Sequence, residues 1–281
     1  MAMADVDAAA AKLPDYAPAL SAFHRACSGP LRRIVDALPI APGASVLDTP
    51  CGDGAYLSWF AERVGPAGRV VGADRSRAYL DTARSSVTAS EHAGRVQLVV
   101  AEMPALPFPD DAFDFVWCAH SLYSLSNPTE VLGELKRVVR RGGTIGILEN
   151  DSFHHWLLPW PVPLEMAVRR AQLLALEGQT RAWPKHYVGR TLASLLADAG
   201  LVERRVATHT IDHAVPLDED ERVMVTDYLT GLRTLTRDRL DAHARAELDA
   251  FIDGRGDEPA AIDRDDFFGA HLEIAATARK A

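Results

Sequence analysis

Five short apolar segments recur in the first half of the chain, and helical patterns or turn residues separate them. The predicted strands are residues 45–48, 69–73, 96–100, 113–118 and 144–148, and the predicted helices are residues 54–64, 76–86 and 128–140. Strands that alternate with helices predict an α/β domain whose parallel sheet is covered by helices on both faces. Right-handed crossovers place the C-terminal ends of these strands at one edge, where ligands of such sheets bind.

Segments with other patterns flank this alternation. Residues 14–40 contain two amphipathic helical stretches, which Ser28-Gly29-Pro30 is expected to separate. Residues 149–188 begin with an irregular, proline-containing stretch and continue as a helix over 164–177. The pattern then predicts a helix over 190–199, a strand over 202–210, a helical segment over 217–252 and a last strand over 271–278.

Composition narrows the class of protein. The net charge is −9, and an acidic chain is a poor main partner for nucleic acid because phosphate binding needs a basic field. The sequence has no run of about 18 apolar residues, so no membrane span is expected. Residues 1–13 are alanine-rich and predict a disordered tail rather than a signal peptide. Cys27, Cys51 and Cys118 lack metal-ligand spacing, and we expect a reduced, cytoplasmic protein.

Acidic residues follow three predicted strands at the edge where ligands bind. Asp48 precedes a turn with Gly52 and Gly54, Asp74 ends the second strand, and Glu102 follows the third. A strand that turns through glycines into a helix directs backbone N–H groups toward a ligand. A carboxylate ahead of that turn disfavours a phosphate and favours a ligand with positive charge. The two oxygens of Asp74 can accept hydrogen bonds from paired hydroxyls.

With these residues, positions 45–150 resemble class I methyltransferases that use S-adenosyl-L-methionine (SAM). The likeness is greatest to the type 11, ubiquinone-biosynthesis-like branch and its bacterial small-molecule relatives, and it includes Arg137-Val138-Val139 ahead of Gly142-Gly143. It implies a Rossmann-like, seven-stranded, mostly parallel sheet with helices on both faces and helical caps. The implied organisation is a single domain over residues 14–281, with lid helices (14–40), a SAM-binding core (41–150) and substrate caps (151–188 and 211–268).

The resemblance also implies which residues hold SAM and its product, S-adenosyl-L-homocysteine (SAH). The glycine turn would receive the methionine part, Asp74 the ribose, and Glu102 with Met103 the adenine. The implied cofactor residues are Tyr16, Arg25, Asp48, Pro50, Cys51, Gly52, Gly54, Asp74, Arg75, Ala101, Glu102, Met103, Cys118, Ala119 and His120. Two residues depart from the family pattern. Pro50 stands where glycine is frequent and removes an N–H donor, and Glu102 stands where aspartate is usual.

Methyl transfer is an in-line displacement that depends mainly on alignment of the reactants. A general base is needed only when the nucleophile keeps its proton. The candidates that follow the fourth and fifth strands are His120, Tyr123, Glu149, Asp151, His154 and His155. Two alternatives stay open: that His120 packs against SAM, and that His154 and His155 are lid residues. Adjacent residues of an extended stretch point apart, so this histidine pair indicates no metal site, and none is expected.

Aromatic residues in the first cap favour a small, hydrophobic or aromatic acceptor, such as a secondary metabolite, methylated on oxygen, nitrogen or carbon. They are Trp156, Trp160, Trp183 and Tyr187, and the alternative is that they only pack the cap onto the sheet. A protein or RNA acceptor and a noncatalytic SAM-binding protein also stay open. A dinucleotide-dependent oxidoreductase is disfavoured, because its loop needs a small residue where Leu57 stands. The oligomeric state is open, with a homodimer as one alternative.

Overall fold

The computed structural model describes residues 12–125, 127–151, 153–178 and 187–281. The strands of its single sheet are β1 (Ser45–Asp48), β2 (Arg69–Asp74), β3 (Val96–Val100), β4 (Phe113–Ala119), β5 (Val139–Glu149), β6 (Trp156–Leu157), β7 (Val202–Ala214) and β8 (Phe268–Arg279). The first five strands lie in the order β3-β2-β1-β4-β5 and pair in parallel. β8 follows β5 and is antiparallel to it. The predicted Rossmann-like, mostly parallel sheet is therefore confirmed.

The described part of the sheet has eight strands rather than the seven expected. β7 pairs with one edge of β8 over nearly its full length. The other edge is shared, because β5 pairs with residues 274–279 of β8 and β6 pairs with His271 and Ala270. A two-residue strand such as β6 is too short to show a hydrophobic period, which is why the sequence did not indicate it.

Nine named α-helices accompany the sheet in the described ranges. They are α1 (Ala17–Ala26), α2 (Ser28–Asp36), α3 (Leu57–Val64), α4 (Arg77–Thr88), α5 (Pro128–Val138), α6 (Val162–Gly178), α7 (Val188–Asp198), α8 (Glu219–Thr236) and α9 (Ala242–Asp253). The first helix ends just before Ser28-Gly29-Pro30, as expected, but these residues are not a separate linker, because they form the first turn of α2. An N–H in a helix's first turn has no partner within the helix, so proline is tolerated there.

The helical segment expected over 217–252 is two helices. Asp218 caps α8 by accepting the N–H of Glu221, whose side chain accepts the N–H of Asp218 in return. Asp241 then starts α9 by accepting the N–H of Ala244. Each aspartate satisfies backbone donors at a helix start, which favours a new helix over the continuation of the old one.

Several strands are longer than expected, and β5 and β7 show the reason. β5 begins at Val139 and includes Gly143, where an added Cβ would lie 2.8 Å from the Asp114 carbonyl oxygen. β7 runs to Ala214 because its antiparallel pairing with β8 continues to Phe268. Both extensions depend on a neighbouring strand and cannot be inferred from the local pattern.

Apolar side chains pack on both faces of the sheet. Val46 and Leu47 are adjacent in β1 but belong to different core clusters, since successive strand residues point to opposite faces. Val46 packs with Phe60 of α3, and Leu47 lies in the cluster that holds Leu135 of α5. In the ranges that the structure describes, no helix is both long and apolar enough to cross a membrane. Most of the predicted tail (residues 1–11) and Trp183 lie outside those ranges.

Candidate active site

The turn after β1 is held in shape by its two glycines. Gly52 has φ +51° and Gly54 has φ +81°, values that side-chain-bearing residues rarely adopt. A Cβ at Gly54 would lie 2.8 Å from the Ala83 Cβ, so the turn packs closely on α4 at this point. A Cβ at Gly52 would meet no atom within 4 Å. The turn therefore leaves open space beside Gly52.

Asp74 braces the turn from the end of β2. Its carboxylate accepts the N–H of Gly52 at 3.0 Å and the N–H of Ser76 at 2.8 Å. The Cys51 N–H donates to the Ala73 carbonyl oxygen, so this donor is used inside the protein. Burial raises the pKa of Asp74 in spite of these hydrogen bonds. Each carboxylate oxygen can accept a further hydrogen bond, so Asp74 can still receive hydroxyl groups.

Asp48 is the unusual group of this edge. It is fully buried, and neither carboxylate oxygen accepts a hydrogen bond from any residue that the structure describes. Burial first, and then the charges of Asp74 and Asp53, hold the pKa of Asp48 well above its usual range. A buried, unpaired carboxylate is costly, and a nearby cation reduces that cost. The buried Asp48 carboxylate beside this turn therefore fits a positively charged ligand such as SAM.

Helix α1 closes over the turn through Asp53, a residue that sequence analysis did not single out. The Asp53 carboxylate accepts a hydrogen bond from Ser21 Oγ at 3.1 Å and lies 3.0 Å from His24 Nδ1. Burial opposes ionisation of Asp53, but the hydrogen bond and charge of His24 outweigh it and lower the pKa. The only signal in the sequence was an acid between the two glycines.

The residues expected to face adenine divide into buried and exposed positions. Ala101 and Met103 are buried, and the Ala101 N–H donates to the Asp74 carbonyl oxygen at 3.0 Å. Glu102 and Arg75 are exposed. The backbone thus joins this segment to the end of β2. The roles of Glu102 and Arg75 toward a ligand stay predictions.

His120 follows β4 in a left-handed conformation, with φ +46°. Its Nε2 lies 2.7 Å from Glu273 Oε2, which is almost fully buried on β8. Burial lowers the pKa of His120, but the charge and hydrogen bond of Glu273 outweigh it and raise the pKa overall. His120 in turn lowers the pKa of Glu273 against the effect of burial. Sequence analysis missed Glu273, because it is one polar residue in an otherwise ordinary last strand.

Glu149 lies beneath the same turn, at the end of β5. Its Oε1 accepts the N–H groups of Ser121 at 2.8 Å and Leu122 at 2.6 Å. Burial raises the pKa of this carboxyl to about 7. Cys118, two residues before His120, is fully buried, whereas Ala119 is partly exposed. Glu149 therefore fixes the turn that presents His120.

The other predicted catalytic residues have different surroundings from one another. Tyr123 is 43% exposed. His154 lies at the surface, where its Nδ1 is 2.8 Å from Arg190 Nη2. His155 points inward against Tyr228, and burial lowers its pKa to about 4. The structure thus separates the two adjacent histidines.

Two N-terminal residues expected near SAM are largely exposed, and their roles toward SAM stay predictions. Arg25 pairs with Asp220 of α8 at 2.6 Å, and its side chain is 61% exposed. Tyr16 is also 61% exposed, just ahead of α1. The surface ion pair satisfies Arg25 on the α8 side. The N-terminal residues that reach the turn are Ser21 and His24 instead.

Three aromatic residues, Phe23, Trp156 and Tyr228, belong to a chain of ring contacts that runs from His120 through His271, which we name the aromatic wall. The Phe23 ring meets the His120 ring edge-on with centroids 5.2 Å apart. Trp156 stacks on Tyr228 at 5.4 Å. Two other expected lining residues pack away from this wall: Trp160 stacks on Phe251 of α9, and Tyr187 on Phe153. Trp156 and Trp160 are both buried, so the described cap tryptophans pack inside the fold.

Comparisons with known proteins agree with this geometry. A family model described as "Methyltransferase domain" matches residues 47–147. The ubiquinone/menaquinone biosynthesis C-methyltransferase UbiE of Hahella chejuensis is 36% identical over 118 residues, which cover 42% of this chain and 47% of UbiE. An "uncharacterized 37.1 kDa protein" in a Streptomyces fradiae transposon is 31% identical over 208 residues, which cover 71% of this chain and 58% of that protein. The chain thus spans about half the length of the curated relatives it matches.

A solved structure from Bacillus halodurans, described as a methyltransferase, shares the fold with a TM-score of 0.53 and 19% identity. The superposition covers 89% of this chain and 98% of that one. Residues 47–147 are a methyltransferase domain, and its class is the class I SAM-dependent methyltransferases. SAM is the methyl donor of this class. The sheet edge with Asp48, the glycine turn and Asp74 is the corresponding candidate cofactor site.

Proposed function

We propose that this chain transfers the methyl group of SAM to a small, hydrophobic or aromatic molecule. The observation that carries the proposal is the buried Asp48 carboxylate, which has no partner among the described residues, beside a turn with open space at Gly52. Such a pair suits a cationic ligand that approaches the backbone closely.

SAM, when bound, supplies a methyl group on a positively charged sulfur. The residues of the chain bind and orient the reactants, which is where most of the acceleration of such a displacement originates. Asp48 supplies negative charge near the turn, Gly52 leaves room, and Asp74 offers free lone pairs to hydroxyl groups. The exposed Glu102 and the buried Met103 follow β3 at the same edge.

His120 is the candidate base for an acceptor that keeps its proton. A carboxylate can only accept hydrogen bonds, so the 2.7 Å contact with Glu273 places a proton on His120 Nε2. In the neutral ring Nδ1 is then the nitrogen that can take a proton. Glu273 acts here as a positioning residue, because it fixes the tautomer without touching the acceptor.

The acceptor class follows from the surface beside His120. The Phe23 end of the aromatic wall lies against His120, and an aromatic ring at this place suits an apolar or aromatic molecule. The printed name of the Hahella relative, a ubiquinone/menaquinone biosynthesis C-methyltransferase, agrees with an acceptor of this kind. The net charge of −9 disfavours RNA. Secondary metabolism, a cytoplasmic location, a homodimer and the two-cap organisation stay predictions.

Calorimetry with SAH tests the cofactor half of the proposal. We expect one SAH per chain, and undetectable binding at millimolar SAH would refute the proposal. Transfer of tritium from methyl-labelled SAM to phenols, quinols, aromatic amines, RNA and protein tests the acceptor half. Labelled phenol or quinol products support the small-molecule class. Label on RNA or protein alone would assign the alternative acceptor, and SAH binding without transfer to any acceptor would favour a noncatalytic role.

The base is tested with the acceptor that gives the highest transfer rate. His120→Asn is expected to lower kcat about 10²- to 10⁴-fold while SAH affinity stays at the wild-type value, because only proton transfer is lost. Glu273→Gln should give a smaller loss. His243→Asn, in an exposed histidine of α9, is the matched control. An unchanged kcat in His120→Asn would remove His120 from the reaction.

A further inference from the structure

A second cluster of buried polar side chains lies between the end of α1 and the β7–β8 pair. Its members are Cys27, His213 and His271, which are 0%, 1% and 2% exposed. One potential ligand atom from each lies within 4.8 Å of the others. A thiol and two imidazoles within a few ångströms, closed off from solvent, form a donor set for a borderline-soft cation.

The two histidines present their nitrogens to the same point. His213 Nε2 and His271 Nδ1 are 2.9 Å apart, and the nearly parallel rings have centroids 5.1 Å apart. Two nitrogens bound to one tetrahedral zinc ion at about 2.0–2.1 Å lie about 3.3 Å apart. The rings therefore need to separate by only a few tenths of an ångström, roughly, to bind one ion.

A carboxylate lies on the side of each histidine away from the cluster, but only one of them is hydrogen-bonded. His213 Nδ1 is 2.9 Å from Glu221 Oε1, whereas His271 Nε2 has no hydrogen-bond partner among the described residues and lies 3.6 Å from Glu273 Oε1. Metal-binding histidines almost always direct their second nitrogen to a carboxylate, a carbonyl or water, which fixes the ring and raises its basicity. The cluster thus has supporting groups as well as ligand atoms.

The backbone explains why the histidines meet. In the antiparallel β7–β8 pair, His271 lies opposite Ile211, and His213 is two residues further along β7 on the same face. Cys27, between α1 and α2, completes the cluster from above. Its Sγ is 3.9 Å from the Met224 Sδ of α8. These residues are too far apart in sequence to give a metal-binding spacing.

We propose that Cys27, His213 and His271 form a binding site for one divalent transition-metal ion, with Zn²⁺ as the expected occupant. On binding, the Cys27 thiol releases its proton to solvent and its sulfur forms a bond to the metal, while both histidines bind as neutral rings. Three protein ligands leave a fourth position, which a water molecule or the Met224 thioether can take. The site lies outside residues 47–147 and does not depend on the proposed function.

The alternative arrangement contains no metal. A hydrogen bond between His213 and His271 accounts for the same 2.9 Å distance, and Cys27 is then an ordinary buried thiol. The two arrangements differ in metal stoichiometry and in the state of the sulfur, and both quantities can be measured on the full chain.

The test uses the full-length protein after treatment with a chelator and dialysis. Zn²⁺ is titrated against a chromogenic competitor, and Co²⁺ serves as a spectroscopic probe. We expect one Zn²⁺ per chain and, with Co²⁺, a near-ultraviolet thiolate-to-metal charge-transfer band. Absence of Zn²⁺ binding or of that band would overturn the proposal. If the site prefers Cu²⁺ over Zn²⁺ by more than such ligands generally do, the assignment to zinc is overturned.

Amino-acid substitutions identify the residues that bind the metal ion. Cys27→Ser and His213→Gln are expected to weaken Zn²⁺ binding at least 100-fold, and Glu221→Gln about 10-fold, as for removal of a supporting carboxylate. The exposed His243→Gln is the control for binding to surface imidazole. Equal binding in the control and in all three variants would show an adventitious ion. If Cys27→Ser does not fold, the wild-type charge-transfer band and the Glu221→Gln affinity decide the question.

Discussion

Gly52 and Gly54 belong to one turn but have different surroundings, and we predict that their alanine variants fail in different ways. At Gly54, φ is +81°, and the new Cβ would lie 2.8 Å from Ala83 Cβ and 3.0 Å from Ala83 Cα. A left-handed conformation costs an L-residue about 1–2 kcal/mol, and overpacking adds about 1–3 kcal/mol. Gly54→Ala should therefore lose about 2–5 kcal/mol of unfolding free energy, or roughly 5–15 °C in Tm for a chain of this size.

At Gly52 only the backbone cost applies. Its φ is +51°, but an added Cβ meets no atom within 4 Å. Gly52→Ala should lose about 1 kcal/mol or less, because alanine also restricts the unfolded chain, and Tm should fall by about 2–4 °C. The same Cβ would project into the space that we assign to the cofactor. A cost of about 1–3 kcal/mol there corresponds to a loss of SAH affinity of about 5- to 150-fold.

The assay combines thermal unfolding followed by circular dichroism, without ligand, and calorimetric titration with SAH. Gly94→Ala is the control, because its Cβ also meets open space and its φ is not left-handed. Wild-type SAH affinity in Gly52→Ala would refute the assignment of the open space to the cofactor. Equal Tm values for Gly52→Ala and Gly54→Ala would refute the argument from the Ala83 contact.

Two further predictions concern buried carboxylates. Asp48→Asn should leave the ligand-free protein at least as stable as the wild type. The variant should weaken the binding of SAM about tenfold more than that of SAH, because SAH lacks the sulfonium charge and one screened charge interaction inside a protein is worth about 1–2 kcal/mol. Equal losses of affinity for SAM and SAH in calorimetry would contradict this prediction. Glu149 has a pKa of about 7 in the folded chain, so it stays protonated to a higher pH than in the unfolded chain. Its contribution to the free energy of unfolding therefore falls by about 3 kcal/mol as the pH rises from about 4.5 to 7. Glu149→Gln should flatten this part of the pH dependence in urea unfolding, and an unchanged slope would show that Glu149 is not the source.

Local patterns in the sequence predict the α/β class, most element positions and the location of the candidate cofactor site. Hydrophobic period distinguishes strand from helix, and glycines beside an acid at a strand end mark a ligand-binding turn. A local capping residue, Asp241, also carries the signal that divides α8 from α9. The helical period continues on both sides of Asp241, so the hydrophobic pattern alone predicts one helical segment over 217–252.

Which distant side chains meet depends on the folded chain as a whole. Asp53 and His24 are 29 residues apart, and His120 and Glu273 are 153 apart. Cys27, His213 and His271 come together only because α1 packs above the face that β7 and β8 share. A single polar residue in a strand looks the same in sequence whether it faces solvent or a partner. Strand register and helix packing, which fix that partner, depend on contacts across the whole chain.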